Sequence, residues 1–220
     1  MKIVIGYFCN KTDVRNFKMK MLPVEVLALA SYLEKKKYLV SVVNFLDMST
    51  SKCEKIIRVV APDILYVSIF SHNRVDSLKF IREFKKRNRK ITIIAGGPFV
   101  TFVSDELLTR YPEIDYLIPG EPERTLQKLL ESLKGKSKLP RVCEPIEIPN
   151  MNPMPLPSEY NGMLINVDPN EQYKMLMTAR GSNENPMLSS YPKYSGNTIR
   201  PRSVKRIIQE IVKLQKRYGI

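Results

Sequence analysis

Between Lys90 and Thr125 two short apolar runs, Ile91 to Ala95 and Tyr116 to Ile118, each stop at glycine: Gly96-Gly97-Pro98 after the first, Gly120-Glu121-Pro122 after the second. β-Branched runs of this length, separated by helix-like segments, read as parallel strands buried on both faces. The glycines then stand at strand C-terminal ends. In an open α/β sheet that edge is where ligands lie, and glycine lets the backbone approach a ligand with no Cβ in the way. A tight βα turn accounts for a Gly-Gly pair equally well when taken alone, so the rest of the chain must decide.

The same pattern recurs upstream. Lys2 to Phe8, Leu39 to Phe45 and Ile64 to Phe70 read as strands, and the segments from Pro23 to Lys37, Ser49 to Val60, Asp76 to Arg89, Ser104 to Arg110 and Glu123 to Leu133 as helices. Proline suits the first turn of the first helix, and Ser49 or Ser51 suits the cap of the second. Five strands alternating with five helices predict a doubly wound, flavodoxin-like (Rossmann-like) five-stranded parallel sheet in the order 2-1-3-4-5, occupying residues 1–135. No GxGxxG follows the first strand and no GxxxxGK[ST] occurs, so neither a dinucleotide site nor a P-loop is indicated.

Residues 136–173 read as a proline-rich linker in extended form, with Pro140, Pro145, Pro149, Pro153, Pro155 and Pro157. Residues 174–220 read as a strand from Lys174 to Thr178, a polar loop from Ala179 to Pro201, and an amphipathic helix from Ser203 to Tyr218. The apolar face of that helix, Val204, Ile207, Ile208, Ile211, Val212 and Leu214, either packs back on the sheet domain or awaits a partner.

With 43% hydrophobic residues in 220, the chain can bury a real core. It has no run of membrane-spanning length, and its first residues enter a strand without a signal-peptide pattern, so a cytoplasmic protein without a membrane partner is expected. Cys9, Cys53 and Cys143 lie too far apart for a disulfide framework or a cysteine-only metal site. The net charge of +14 raises nucleic acid as a partner. The basic residues fall on helix surfaces, however, and no strand interleaves them with aromatics, so nucleic acid is not favoured.

Taken in order, Leu22-Pro23 with LALASYLEKKKY, then APDILYVSIFS, IIAGGPFVT, DYLIPGEPERT, IPNMNPMPLP, MTARG and SYPKYSGNTIRPRSVKRIIQEIVKLQKRYGI resemble the N-terminal part of cobalamin-binding radical S-adenosylmethionine enzymes. In that family a cobalamin-binding α/β domain precedes a partial barrel that carries a [4Fe-4S] cluster. The resemblance implies cobalamin over the C-terminal edge of the sheet, its nucleotide tail entering the cleft. It implies a tail contact from the Ser68 hydroxyl, passage for the tail at Gly96 and Gly97, and Gly120 and Glu121 at the next strand end. Phe70 stands where the family has leucine, a bulkier ring that would either stack on the cofactor or close the pocket.

The histidine loop DxHxxG of cobalamin-dependent mutases is absent, as the resemblance implies, since the radical family usually lacks that ligand. His72, the single histidine, is read as a loop cap rather than a cofactor contact. At the cluster the family has three cysteines after Arg-Gly; here Arg180-Gly181 is followed by Ser182, Pro186 and Ser189 at those places. Hydroxyls and proline cannot supply soft thiolate ligation of iron. A [4Fe-4S] cluster and cleavage of S-adenosylmethionine are therefore not expected of this chain alone, and the segment after residue 174 reads as a first βα unit of a truncated barrel. The resulting expectation is a cobalamin-binding protein, with a separate radical S-adenosylmethionine barrel subunit or a second copy of itself as partner. A cofactor-free α/β scaffold or regulator, and a subunit of a split radical enzyme, are the alternatives.

Overall fold

The computed structural model describes residues 1–9, 21–135, 139–173, 175–185 and 189–219. Strands β1 (Lys2–Tyr7), β2 (Leu39–Asn44), β3 (Ile64–Ser68), β4 (Thr92–Gly96) and β5 (Tyr116–Ile118) alternate with helices α1 (Val24–Lys35), α2 (Thr50–Val60), α3 (Arg74–Arg87), α4 (Pro98–Arg110) and α5 (Pro122–Gly135). All pairings among these strands are parallel. α1 and α5 contribute to one apolar core with the sheet, while α2, α3 and α4 contribute to another on the opposite face. Strands enclosed on both sides must be apolar at nearly every position, which is why β1 and β3 read as continuous β-branched runs.

The sheet has six strands, not five, in the order β5-β4-β3-β1-β2-β6. The added strand β6 (Met163–Ile165) comes from the stretch read as a linker and pairs in parallel with β2, Val42 opposite Leu164. Tyr160 holds it there, its hydroxyl donating to the carbonyls of Val40 at 2.7 Å and Met163 at 3.2 Å. The other edge is covered too: the Leu117 amide donates to Arg141 O and the Cys143 amide to Leu117 O, at 2.7 and 2.9 Å. With β6 in place β2 is no longer an edge, and the new edge strand is only 3 residues long, which shortens the row of unpaired backbone groups that would otherwise invite association.

The proline-rich segment wraps over α1. Ser31 Oγ donates to Leu156 O at 2.9 Å, and the Asn161 amide donates to Glu34 at 3.0 Å. Covered by the sheet on one side and by this wrap on the other, α1 is buried continuously from Val26 to Leu33 instead of along one stripe. Leu22, just after residues 10–20, is clamped from far along the chain: its amide donates to Gln172 Oε1 and its carbonyl accepts from Gln172 Nε2, at 2.7 and 2.9 Å.

Two further expectations are corrected. Helix α4 already begins at Pro98, which serves as its first residue directly after Gly97, and a kink at Val103 (φ −132°, ψ 31°) separates that added turn from the helix expected from Ser104 to Arg110. Lys174 lies outside the described residues, and those from Met175 to Thr178 form no strand. The pairing instead joins β7 (Ala179–Arg180) to β8 (Arg200–Pro201), antiparallel, with α6 (Pro169–Gln172) before them and α7 (Tyr191–Ser195) between. The last helix, α8 (Val204–Tyr218), is capped by Ser203 as expected, at 3.4 Å from the Arg206 amide. It is anchored by Leu214 and by buried Glu210, whose pKa is pushed up by burial against an opposing hydrogen bond from Ser158. Val204, Ile208, Ile211 and Val212 remain exposed. No described helix is long and apolar enough to cross a membrane.

Candidate functional site

The register brings several of the singled-out residues together. Ser68, the last residue of β3, lies opposite Gly96, the last of β4. Beyond them the two strands stay joined, the Ile69 amide donating to Gly96 O at 2.8 Å and the Phe99 amide to Ile69 O at 3.1 Å. Gly97 turns β4 directly into α4 with φ of 103° and ψ of 176°, a region open essentially to glycine alone. Its neighbours are equally restrictive: a Cβ on Gly97 would lie 2.7 Å from the Ile69 carbonyl oxygen, and one on Gly96 would collide with the Tyr66 hydroxyl. Protein packing therefore demands both glycines.

A residue not singled out from the sequence ties the strand ends. Thr101, buried in the first turn of α4, donates from Oγ1 to Gly97 O at 3.1 Å and accepts from the Gly120 amide at 2.9 Å. One hydroxyl thus fixes the turns after β4 and β5 relative to each other.

On the other side of Ser68, Phe70 is half-buried and packs its ring against His72 at 5.5 Å and edge-on to Tyr7 at 6.1 Å. His72 does not cap the loop. Asn73, fully buried, does so: its Oδ1 accepts from the Phe70 amide at 2.7 Å and its Nδ2 donates to Ser68 O at 3.2 Å. The His72 ring instead meets the Tyr7 hydroxyl through Nε2 at 2.6 Å.

Glu121 lies in a different environment. Both of its carboxylate oxygens face Arg200, at 2.8 and 2.9 Å, and one also accepts from Ser195 Oγ at 2.8 Å. Beside it Arg180 is 4% exposed and donates to Glu123 Oε1 at 2.6 Å. Burial alone would pull the Arg180 pKa down, but Glu123 and Glu121 outweigh it and hold it above the ordinary value. The buried ions lock the Arg-Gly turn onto the end of β5. Gly181 itself has φ of 83°, and any Cβ there would collide with Thr198 O. Between these turns a pocket of about 300 Å³ is lined by Gly120, Glu121, Pro145, Lys193, Asn197 and Arg200, among others.

Of the positions where cluster cysteines were sought, Pro186 lies outside the described residues. The Ser182 and Ser189 hydroxyls each accept a local backbone bond, from the Glu184 amide at 3.1 Å and the Tyr191 amide at 3.3 Å. The three cysteines are buried and form no disulfide, and no group of three His, Cys, Asp or Glu among the described residues could hold a metal ion.

A doubly wound sheet whose glycine-bearing strand ends converge at the C-terminal edge defines a ligand-binding α/β domain. The B12 binding domain profile matches residues 10–130, and the chain belongs to that family. It is similar along its whole length to the uncharacterized methyltransferase PH0819 of Pyrococcus horikoshii, at 27% identity, spanning 52% of that protein. Over 33% of the chain and 11% of the relative it is 31% identical to the cobalamin-dependent radical SAM methyltransferase TokK of Streptomyces tokunonensis. Among solved structures, the cobalamin-dependent S-adenosylmethionine radical enzyme OxsB with aqua-cobalamin bound shares the fold. Its TM-score is 0.73 at 19% identity, over all of this chain and 32% of that one. The chain thus spans about half the length of the full-length relative and a third of the structural one.

Proposed function

We propose that the chain holds cobalamin over the carboxyl ends of β3 and β4 and has no iron–sulphur chemistry of its own. The observation that carries the reading is the Ser68–Gly96 register pair, with Gly97 and the Phe70 ring beside it, in a chain of the B12 binding domain family. The donor set fits a nucleotide tail: a hydroxyl, two residues without Cβ, and an aromatic surface. Because packing already requires both glycines, the hydroxyl and the ring are the more informative members. Gly120 extends the same edge through Thr101. Glu121, paired with Arg200, is a strut behind that edge rather than a contact to the cofactor. When bound, cobalamin would supply a redox-active cobalt able to carry a methyl group; the protein's own residues bind and orient it.

The loop after Arg180 does not fit a [4Fe-4S] cluster. Soft iron needs thiolates, and the two described positions offer hydroxyls already engaged as acceptors for local backbone amides. A titration of the purified chain with hydroxocobalamin, followed by visible absorption and calorimetry, should saturate. Ser68→Ala should weaken binding about fivefold, the worth of one hydrogen bond of about 1 kcal/mol. Anaerobic reconstitution should leave almost no iron on the chain. A folded chain without saturable cobalamin binding would point to the cofactor-free scaffold, and stoichiometric iron would restore the radical enzyme.

One observation favours a partner subunit as well: the exposed Val204, Ile208, Ile211 and Val212 on α8. A separate barrel chain or a second copy would cover them. Amide exchange along α8 should then be fast in the isolated chain beside that of α1, and comparable protection in the two helices would remove this reading.

A further inference from the structure

The winding of the sheet reverses between β1 and β3: β1 leads outward to β2 on one side, and β3 to β4 and β5 on the other. The crevice at such a reversal is where ligands of open α/β sheets lie. Tyr7 ends β1 there, and Phe70 and His72 follow the end of β3. An imidazole at a loop tip ordinarily keeps its rotamer freedom, since ordering it costs entropy. Here it is fixed three times. Asn73 pins the turn from below, Phe70 packs on the ring, and the buried Tyr7 hydroxyl holds Nε2. Asn73 already satisfies the turn, so the backbone has no use for the histidine. The side chain is nonetheless exposed, and among the described residues no group bonds its Nδ1.

Resting on the cobalamin reading above, we propose that His72 is an axial ligand of the corrinoid cobalt, binding through Nδ1 while its Nε2–H donates to the Tyr7 hydroxyl. Neutral imidazole is a good donor for such a metal, and a ligating histidine characteristically gives its other N–H to a fixed acceptor, which sets the tautomer and raises ligand basicity. Tyr7 is that acceptor and a positioning residue. In the ligation step the imidazole lone pair replaces water or the corrinoid's own benzimidazole on one face of the cobalt; no electron is transferred and no proton is released.

The chain contains one histidine, so labelling with nitrogen-15 histidine marks a single site. The labelled full-length chain, loaded with cob(II)alamin, is then read by electron paramagnetic resonance. Axial nitrogen-14 splits the cobalt lines into triplets and nitrogen-15 into doublets. The expected result is a triplet from the unlabelled chain and a doublet from the labelled one. A triplet that persists in the labelled chain means that benzimidazole is the ligand, and lines without splitting mean that no nitrogen is. Either overturns the assignment of His72 while leaving cobalamin binding intact. A chain that retains no cob(II)alamin overturns both.

Discussion

Arg180→Met should cost the fold about 3–5 kcal/mol, seen as a fall in the urea midpoint with little change in slope. The guanidinium is almost fully enclosed, and Glu123 opposite it is 1% exposed. Removing the cation strands a carboxylate that water cannot reach. Glu123 Oε2 already lacks a hydrogen-bond partner, so Oε1 would lose the contact that offsets the desolvation of the whole group. Glu121 would suffer less because Arg200 remains on both its oxygens. Replacing Arg180 and Glu123 together by apolar residues should recover most of the loss, since a buried pair exchanged for well-packed side chains is often neutral. A single variant that loses less than about 1 kcal/mol would show that the pair does not hold the turn after Arg180 in place.

Gly97→Ala should be nearly as costly, about 3 kcal/mol. Its backbone conformation alone costs a residue with Cβ about 1–3 kcal/mol. The added methyl would also press on the Ile69 carbonyl oxygen, which is part of the β3–β4 junction and already accepts from Phe99. Gly96→Ala differs in kind, because the obstacle is the end of a side chain, the Tyr66 hydroxyl. Tyr66→Phe should therefore rescue Gly96→Ala in part and leave Gly97→Ala unimproved; equal rescue of both would contradict this geometry. It follows that loss of cobalamin by a Gly97 variant reports on the fold, so the cofactor question is better put to Ser68.

Most of the sheet was legible because its strands are buried on both faces. Such strands must be apolar throughout, and local composition suffices to find them, as at Ile64 to Ser68. β6 escaped because Met163-Leu164-Ile165 is short and set among prolines; it is a strand only because Tyr160 and Asn166 bind carbonyls of β2 more than a hundred positions earlier. The start of α4 could have been found, since proline after glycine is a helix-start signal as well as a turn signal. The sequence reads as a strand from Lys174 to Thr178, yet the pairing begins at Ala179 opposite Pro201 and continues at Arg180 opposite Arg200, partners twenty or more positions away that no local pattern marks.

At the site, the strand-end residues Ser68 and Gly96 could be placed from the sequence because adjacent parallel strands bring their ends level. Thr101 could not, since its two partners are backbone groups on separate turns. The Arg180–Glu123 pair was hidden for another reason. Charged residues are usually exposed, and no local pattern marks the few that are enclosed. The lone histidine carried too little context to separate a cap from a ligand, and only the neighbouring asparagine, seen in place, removes the capping role.

The pairing of β2 with β6 sets an order of events during synthesis. β1, β2 and β3 can come together once residue 68 has been made, but the outer side of β2 has no partner until residues 163–165 follow. For that interval a growing chain carries a bare, β-branched edge, Leu39 to Val43, of the kind that recruits other strands. Closing it joins residues far apart in the chain, a slow kind of contact to form. The proline-rich stretch is thus the piece that ends the chain's most aggregation-prone stage.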